Sequence, residues 1–349
     1  MTDPAAPYRA FAQAAGTSPL DAHVATALGR SAAALRVLQV VPARRRGPVP
    51  VLAALHDLTL AGRAPGLAAA HAAADGEATA AAAVDTLLRS APEVAALLAR
   101  RRPASLVTGH CAVLQPAVAE AASRAGAGAV GLIGLDLSPG LDLHVDRVGT
   151  HLDTGQHLGD PASPVQLRAS VVGPGRVPER AVPAVVARIG VGRDPLDLTD
   201  PDDARWLHAC LAPDRPAESA RLAEALAVAA AAPPHLLRGD PLDLLPAAVA
   251  RVPAGALPVV LTTWAVARLT PDRRLRLRRT LEEVAAGRAV AWVSVEGVGV
   301  APGVPTLGDR PASGHSTIGL TLPDGPVLRG EALGRCWSRG RLLSWLAAG

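Results

Sequence analysis

Directly after the apolar run Ala129–Leu135 the chain passes through Asp136, Leu137, Ser138, Pro139 and Gly140 into a segment with amphipathic spacing around Leu141, Val145 and Val148. An apolar strand, a glycine-containing turn and a helix together outline a nucleotide site. The glycine lets the backbone approach a ligand, and the helix N-terminus offers free N–H groups. Where a strong phosphate loop shows spaced glycines, this one carries Leu137 and Pro139, so the segment suits a cofactor loop and a buried strand with a tight turn alike. Asp194 follows the next apolar strand, where an acid can accept hydrogen bonds from ribose hydroxyls. An Asp-Pro pair is equally a turn former.

Other reactive residues lack a chemical pattern. His56, His110, His144, His151, His157, His208, His235 and His315 show no metal spacing, and His56-Asp57 on an apolar helix reads as a satisfied polar pair. Cys111, Cys210 and Cys336 are far apart, which points to neither a zinc site nor a disulfide framework and suits a reducing compartment. Ser316, in Gly314-His315-Ser316-Thr317-Ile318-Gly319, misses the G-x-S-x-G elbow and precedes a hairpin, which argues against a serine hydrolase.

The elements that must position these residues fall into two regions. At 349 residues the chain has length for two cores. Residues 1–125 read as an all-α domain, with helices at Tyr8–Ala15, Pro19–Gly29, Ala32–Val40, Val49–Gly62, Gly76–Ser90, Pro92–Arg101 and Cys111–Ala125. Gly62–Gly66 reads as a turn. Ser18-Pro19 is an N-cap followed by a proline at the first helical position. From residue 126 to 349 short strands alternate with helices, the pattern of a mostly parallel α/β sheet. Strands are expected at Ala129–Leu135, Ala184–Ile189, Pro234–Arg238, Pro258–Thr262 and Ala289–Val295. Ser316–Leu322 and Val327–Gly330 form a C-terminal antiparallel hairpin, and the insertion at 149–182 holds one added strand, Pro164–Val172. Five parallel strands closed by a hairpin is the element order of class I methyltransferases.

Composition narrows the function classes. Hydrophobic residues make up 49% of the chain, which excludes a disordered protein. No lysine occurs, so all 35 basic residues are arginines, a bias that accompanies the alanine, glycine and proline excess and looks like GC-rich coding. A formal charge of +4 with aromatics at 2% gives no basic face with stacking platforms, so nucleic-acid binding is not indicated. The absence of a signal-peptide pattern or an 18-residue apolar span leads us to expect a cytoplasmic protein without membrane association.

Several ordered blocks resemble a known family, the bacterial domain-of-unknown-function 2332 proteins. They are Ser18-Pro19-Leu20, Val51–His56 with Leu58 and Leu60, Gly140–Leu143 with Asp146-Arg147, Pro195-Leu196-Asp197, Asp200-Pro201, Trp206-Leu207, Arg221-Leu222, Arg238-Gly239-Asp240, and Trp292 with Glu296-Gly297. The resemblance implies a helical N-terminal region joined to a Rossmann-like, methyltransferase-type domain. Departures from the family pattern are specific. The family's Q-T-N-E stretch is matched by Ala104-Ser105-Leu106-Val107. Gly134 replaces an acid, Asp136 a glycine, and Gly192 a further acid, while Cys336–Gly340 stands where the family has His-Pro-His-Gly.

In a methyltransferase-type site the resemblance implies S-adenosylmethionine as cofactor, without a metal. Asp136, Ser138 and Gly140 would wrap its methionine end, Asp194 its ribose, and Gly239-Asp240 its adenine, with Thr262 near the transferred methyl. Asp136 and Asp240 are equally placed to cap helices, and Trp264 beside Thr262-Thr263 suits a core position. Two readings follow. One is a methyltransferase whose helical domain caps the pocket of a small-molecule or protein acceptor. The other is a non-catalytic binding or scaffold protein on the same fold, as the altered loop suggests.

Overall fold

The structure, a computed structural model, describes residues 3–104, 108–137, 141–325 and 327–347. Ser138 and Gly140 therefore lie outside the described residues. The chain divides into two compact units, one of residues 1–106 with 198–223, the other of residues 107–197 with 224–349. This division is discontinuous, unlike the single boundary expected after residue 125.

The first unit is helical: α1 (Ala6–Gln13), α2 (Pro19–Arg30), α3 (Ala32–Val37), α4 (Pro48–Leu60), α5 (Pro65–Ala73), α6 (Gly76–Arg89) and α7 (Ala91–Arg100). Ser18 caps α2 by accepting the amide of Asp21, and Asp75 caps α6 through that of Ala78. The sequence pattern predicts only a turn at Gly62–Gly66 here; α5 starts on Pro65, whose missing N–H costs nothing at a helix start. Leu28, Leu55, Leu58 and Leu87 fill the core.

After α8 (Cys111–Arg124) of the other unit, the helical unit is completed by α9 (Pro201–Ala209). Trp206 is fully buried against Ala53 and donates its Nε1–H to the carbonyl of Arg102 at 2.9 Å. Arg205 pairs with buried Asp57 at 3.1 Å, and His56 Nδ1 meets the Leu211 carbonyl at 2.9 Å. Those contacts are why residues 198–223 return to the helices.

The second unit is an eleven-stranded sheet with flanking helices. Its strands are β1 (Ala129–Leu135), β2 (Gly149–Leu152), β3 (His157–Gly159), β4 (Gln166–Val171), β5 (Ala184–Gly192), β6 (His235–Arg238), β7 (Leu257–Thr263), β8 (Ala291–Gly297), β9 (Ser316–Asp324), β10 (Val327–Trp337) and β11 (Leu342–Trp345). Helix α10 (Pro216–Ala230) begins in the helical unit and enters this one at Glu224, and α11 (Pro241–Ala250) and α12 (Pro271–Ala285) follow. The strands run in the order β3-β2-β4-β11-β10-β9-β8-β7-β1-β5-β6. From β6 to β8 all neighbours are parallel, and β9, β10 and β11 follow as an antiparallel meander.

Read in chain order of the parallel strands, β6-β5-β1-β7-β8 is the 3-2-1-4-5 arrangement of doubly wound folds, and the order reverses between β1 and β7. The insertion is part of the sheet, because β4 pairs in parallel with β2 and with β11. Strands β2, β3 and β11 were not foreseen, being only three or four residues long.

One difference bears directly on the site. The segment after the loop is no α-helix; Leu141–Arg147 is a 3-10 stretch interrupted at His144. Side chains hold its carbonyls: Gln115 donates to Val145 and Val148 at 2.8 and 2.7 Å, and Arg188 to Leu143 at 2.6 Å. Gln115 sits on α8, whose residues Cys111–Ala122 are all buried.

Candidate functional site at the carboxyl edge

The carboxyl ends of β1, β5, β6, β7 and β8 form the edge where ligands bind in open α/β sheets, at the switch between β1 and β7. A cleft of about 280 Å³, counting the solvent at its mouth, opens there between Leu135, Asp136, Thr262, Ala265 and Arg273. Asp136 has φ 49°, a left-handed conformation that aspartate tolerates better than most residues, and it continues the pairing of β1 through its amide to Val191 at 2.8 Å. Asp136 lines the cleft and its carboxylate has no hydrogen-bond partner among the described residues, while Arg268 donates to its carbonyl at 2.8 Å.

The other expected residues are engaged. Asp240 caps α11 by accepting the amide of Leu242 at 3.0 Å, and its two oxygens also accept from Arg273 at 2.8 and 2.7 Å and from Arg193 at 2.7 Å. Those four bonds use its whole accepting capacity. Burial alone would raise this carboxyl, but Arg273, Arg193 and the Leu242 amide outweigh it and hold it at about 2. Asp194 is half-exposed and paired with Arg238 at 2.6 Å. Gly239 has φ 159°, and Leu244 packs where its Cβ would be. Thr262 accepts from Trp292 Nε1 at 3.1 Å and is hydrogen-bonded to Glu296.

Both glycines that stand where the resemblance implies an acid have a packing consequence. A Cβ on Gly134 would stand 2.5 Å from Cδ1 of Leu137, so Leu137 fills the space of the missing side chain. A Cβ on Gly192 would stand 3.2 Å from the Asp136 carboxylate. An acid there would face a like charge.

Beside the cleft lies a polar cluster that sequence reasoning passed over. His110, in the 3-10 turn Thr108–His110, is 9% exposed and places Nδ1 3.2 Å from Oδ2 of Asp142. The same oxygen accepts from the Thr263 hydroxyl at 2.8 Å at the end of β7. The next residue, Trp264, lies 4.6 Å from the His110 ring between centroids and donates its Nε1–H to Ser316 at 2.9 Å. Nε2 of His110 is buried and finds no hydrogen-bond partner among the described residues.

Glu296, at the end of β8, braces this cluster. It is 1% exposed and accepts the amides of Ala265 and Val266, both at 3.0 Å, and of Ala267 at 3.2 Å. Burial pushes its carboxyl above the ordinary range, against the pull of those amides. The turn Ser338–Gly340 closes on the cluster from the end of β10, with Gly340 against the Gly109 carbonyl. His315, its ring tilted 53° to that of Trp337 at 5.3 Å between centroids, pairs with Asp309 at 3.0 Å. Part of the signal for this site lay in the blocks that carry the family resemblance, two of which meet here through Asp142 and Glu296. Their spatial junction was illegible.

A mixed, mostly parallel α/β sheet with a site at the carboxyl edge defines the class of this protein. The chain belongs to the family described as uncharacterized protein conserved in bacteria (DUF2332), which matches residues 5–345. No curated protein matches the sequence, and no solved structure matches it. Among the described residues no group of three or more histidine, cysteine or acidic side chains could hold a metal, and no helix is long and apolar enough to cross a membrane.

Proposed function

We propose that this chain is a binding protein on a methyltransferase-type sheet whose carboxyl edge does not take S-adenosylmethionine. The observation that carries this reading is Asp240. The carboxylate that would hold the adenine is saturated by two arginines and an amide. The cleft supports it, since about 280 Å³ including open solvent falls below the 300–1,000 Å³ of ordinary ligand pockets. A 3-10 stretch in place of an α-helix after the loop supports it too, because no α-helix N-terminus is offered to a ligand there. The residues present do not fit the adenosyl group.

One observation favours the methyltransferase reading. Asp136, whose carboxylate has no hydrogen-bond partner among the described residues, lines the cleft at the end of β1, where an acid suits the amino group of a methionine moiety. Titration calorimetry with S-adenosylmethionine and S-adenosylhomocysteine separates the two. No heat at millimolar ligand is the outcome expected here. Micromolar binding that is lost in Asp136→Asn would overturn it and establish the cofactor.

A further inference from the structure

We propose that His110 is a general base, oriented by Asp142, for a substrate that presents an acidic O–H or N–H group. This goes beyond a binding role and rests on residues other than those of the cleft.

The geometry has three parts. First, Asp142 lies at Nδ1, so the neutral imidazole carries its proton there and leaves the lone pair on Nε2. Thr263 fixes the carboxylate by donating to the oxygen that faces His110. Second, that Nε2 is buried without a hydrogen-bond partner among the described residues. An unsatisfied buried acceptor costs about 1–3 kcal/mol, so a histidine with a purely structural role would be expected to have it paired. Third, strain is concentrated at this place. Of the non-glycine residues with positive φ among the described residues, Trp264 (50°), Ser338 (46°) and Arg339 (56°) all belong to this cluster. A tryptophan in that region is an outlier, and it is held by Glu296 behind it and Ser316 at its indole.

The step is a proton transfer. The X–H bond of the substrate breaks, its proton moves to Nε2, and the electron pair stays on X. The imidazolium so formed faces the Asp142 carboxylate, which stabilises it.

The test needs no identified substrate, because diethyl pyrocarbonate acylates an imidazole nitrogen that carries a free lone pair. Its carbonyl carbon bonds to Nε2 as ethyl carbonate leaves. The intact protein is labelled at neutral pH and the modified histidines are assigned by peptide mass spectrometry. We expect His110 to be carbethoxylated, and Asp142→Asn to slow this at least tenfold while circular dichroism stays unchanged, since loss of the carboxylate releases the tautomer. His110→Gln should remove the label from that peptide alone. An unlabelled His110 in protein whose exposed His157 reacts would overturn the proposal, as would a wild-type rate in Asp142→Asn.

Discussion

Gly340 packs against the carbonyl of Gly109 with no room for a side chain between them, and its φ is +93°. This one contact joins the end of β10 to the turn that carries His110. Gly340→Ala therefore meets two penalties, roughly 1–2 kcal/mol for the left-handed backbone and about 1–3 kcal/mol for overpacking. Gly126 has φ +64° with open space around it, so Gly126→Ala meets only the first. Urea denaturation should show Gly340→Ala about 2 kcal/mol less stable than Gly126→Ala. Equal losses would mean that the turn does not bear on Gly109.

Glu296 gathers the amides of three consecutive residues, Ala265, Val266 and Ala267, just after the strained Trp264. Glu296→Ala strands these donors, at about 1–3 kcal/mol for each one that is buried. We expect a loss of about 3 kcal/mol in chemical denaturation, together with a red shift in tryptophan emission as Trp264 leaves Ser316. Unchanged emission would show that Glu296 does not hold the indole in place.

What was legible in the sequence follows from how local each signal is. Strand β1 was placed with its observed bounds, because seven apolar residues between Gly128 and Asp136 leave little choice. The parallel order and the C-terminal hairpin were likewise carried by periodicity and by Pro323–Gly325. Helix α5 was missed because alanine gives no amphipathic contrast, and β11 because four residues carry no period. The segment after the loop was misread for a different reason: Leu141, Val145 and Val148 are spaced as on a helix and are apolar as expected. Gln115 and Arg188, distant in sequence, take the carbonyls of Val145, Val148 and Leu143 instead. The His110 cluster was passed over because its partners, Asp142, Thr263 and Ser316, lie up to two hundred residues away. Lack of metal spacing says nothing about a histidine paired with one carboxylate.

Asp240 supplies a pH dependence whose sign can be worked out. Its carboxyl is held at about 2 against an ordinary 3.8, so it stabilises the fold above pH 4 and that contribution is lost as pH falls toward 2. The shift corresponds to about 2 kcal/mol. Asp240→Asn keeps the helix cap and removes the charge. Relative to this variant, wild-type protein should be about 2 kcal/mol more stable at pH 5, and the gap should close by pH 2. A gap that persists at pH 2 would mean that it does not come from the charge paired with Arg193 and Arg273.

The helical unit contains two groups whose titrations oppose each other. His71 and Asp21 line one small cavity together with His56 and Thr79. Burial pushes His71 down to about 4, so protonation of the unfolded chain withdraws stability as pH falls from 6.5 toward 4. Burial, with the nearby Asp214 charge, pushes Asp21 up to about 6, so ionisation withdraws stability as pH rises from about 4 through 6. Each effect, reduced for partial exposure, is worth about 2 kcal/mol. In wild-type protein they cancel across that window. His71→Gln should match wild type at pH 7 and exceed it by about 2 kcal/mol at pH 4. Asp21→Asn should do the reverse, exceeding wild type at pH 7 and converging with it at pH 4. Thermal denaturation of both variants at the two pH values decides it: an Asp21→Asn protein no more stable than wild type at pH 7 would mean that the Asp21 carboxylate is well solvated, and the cancellation would fail with it.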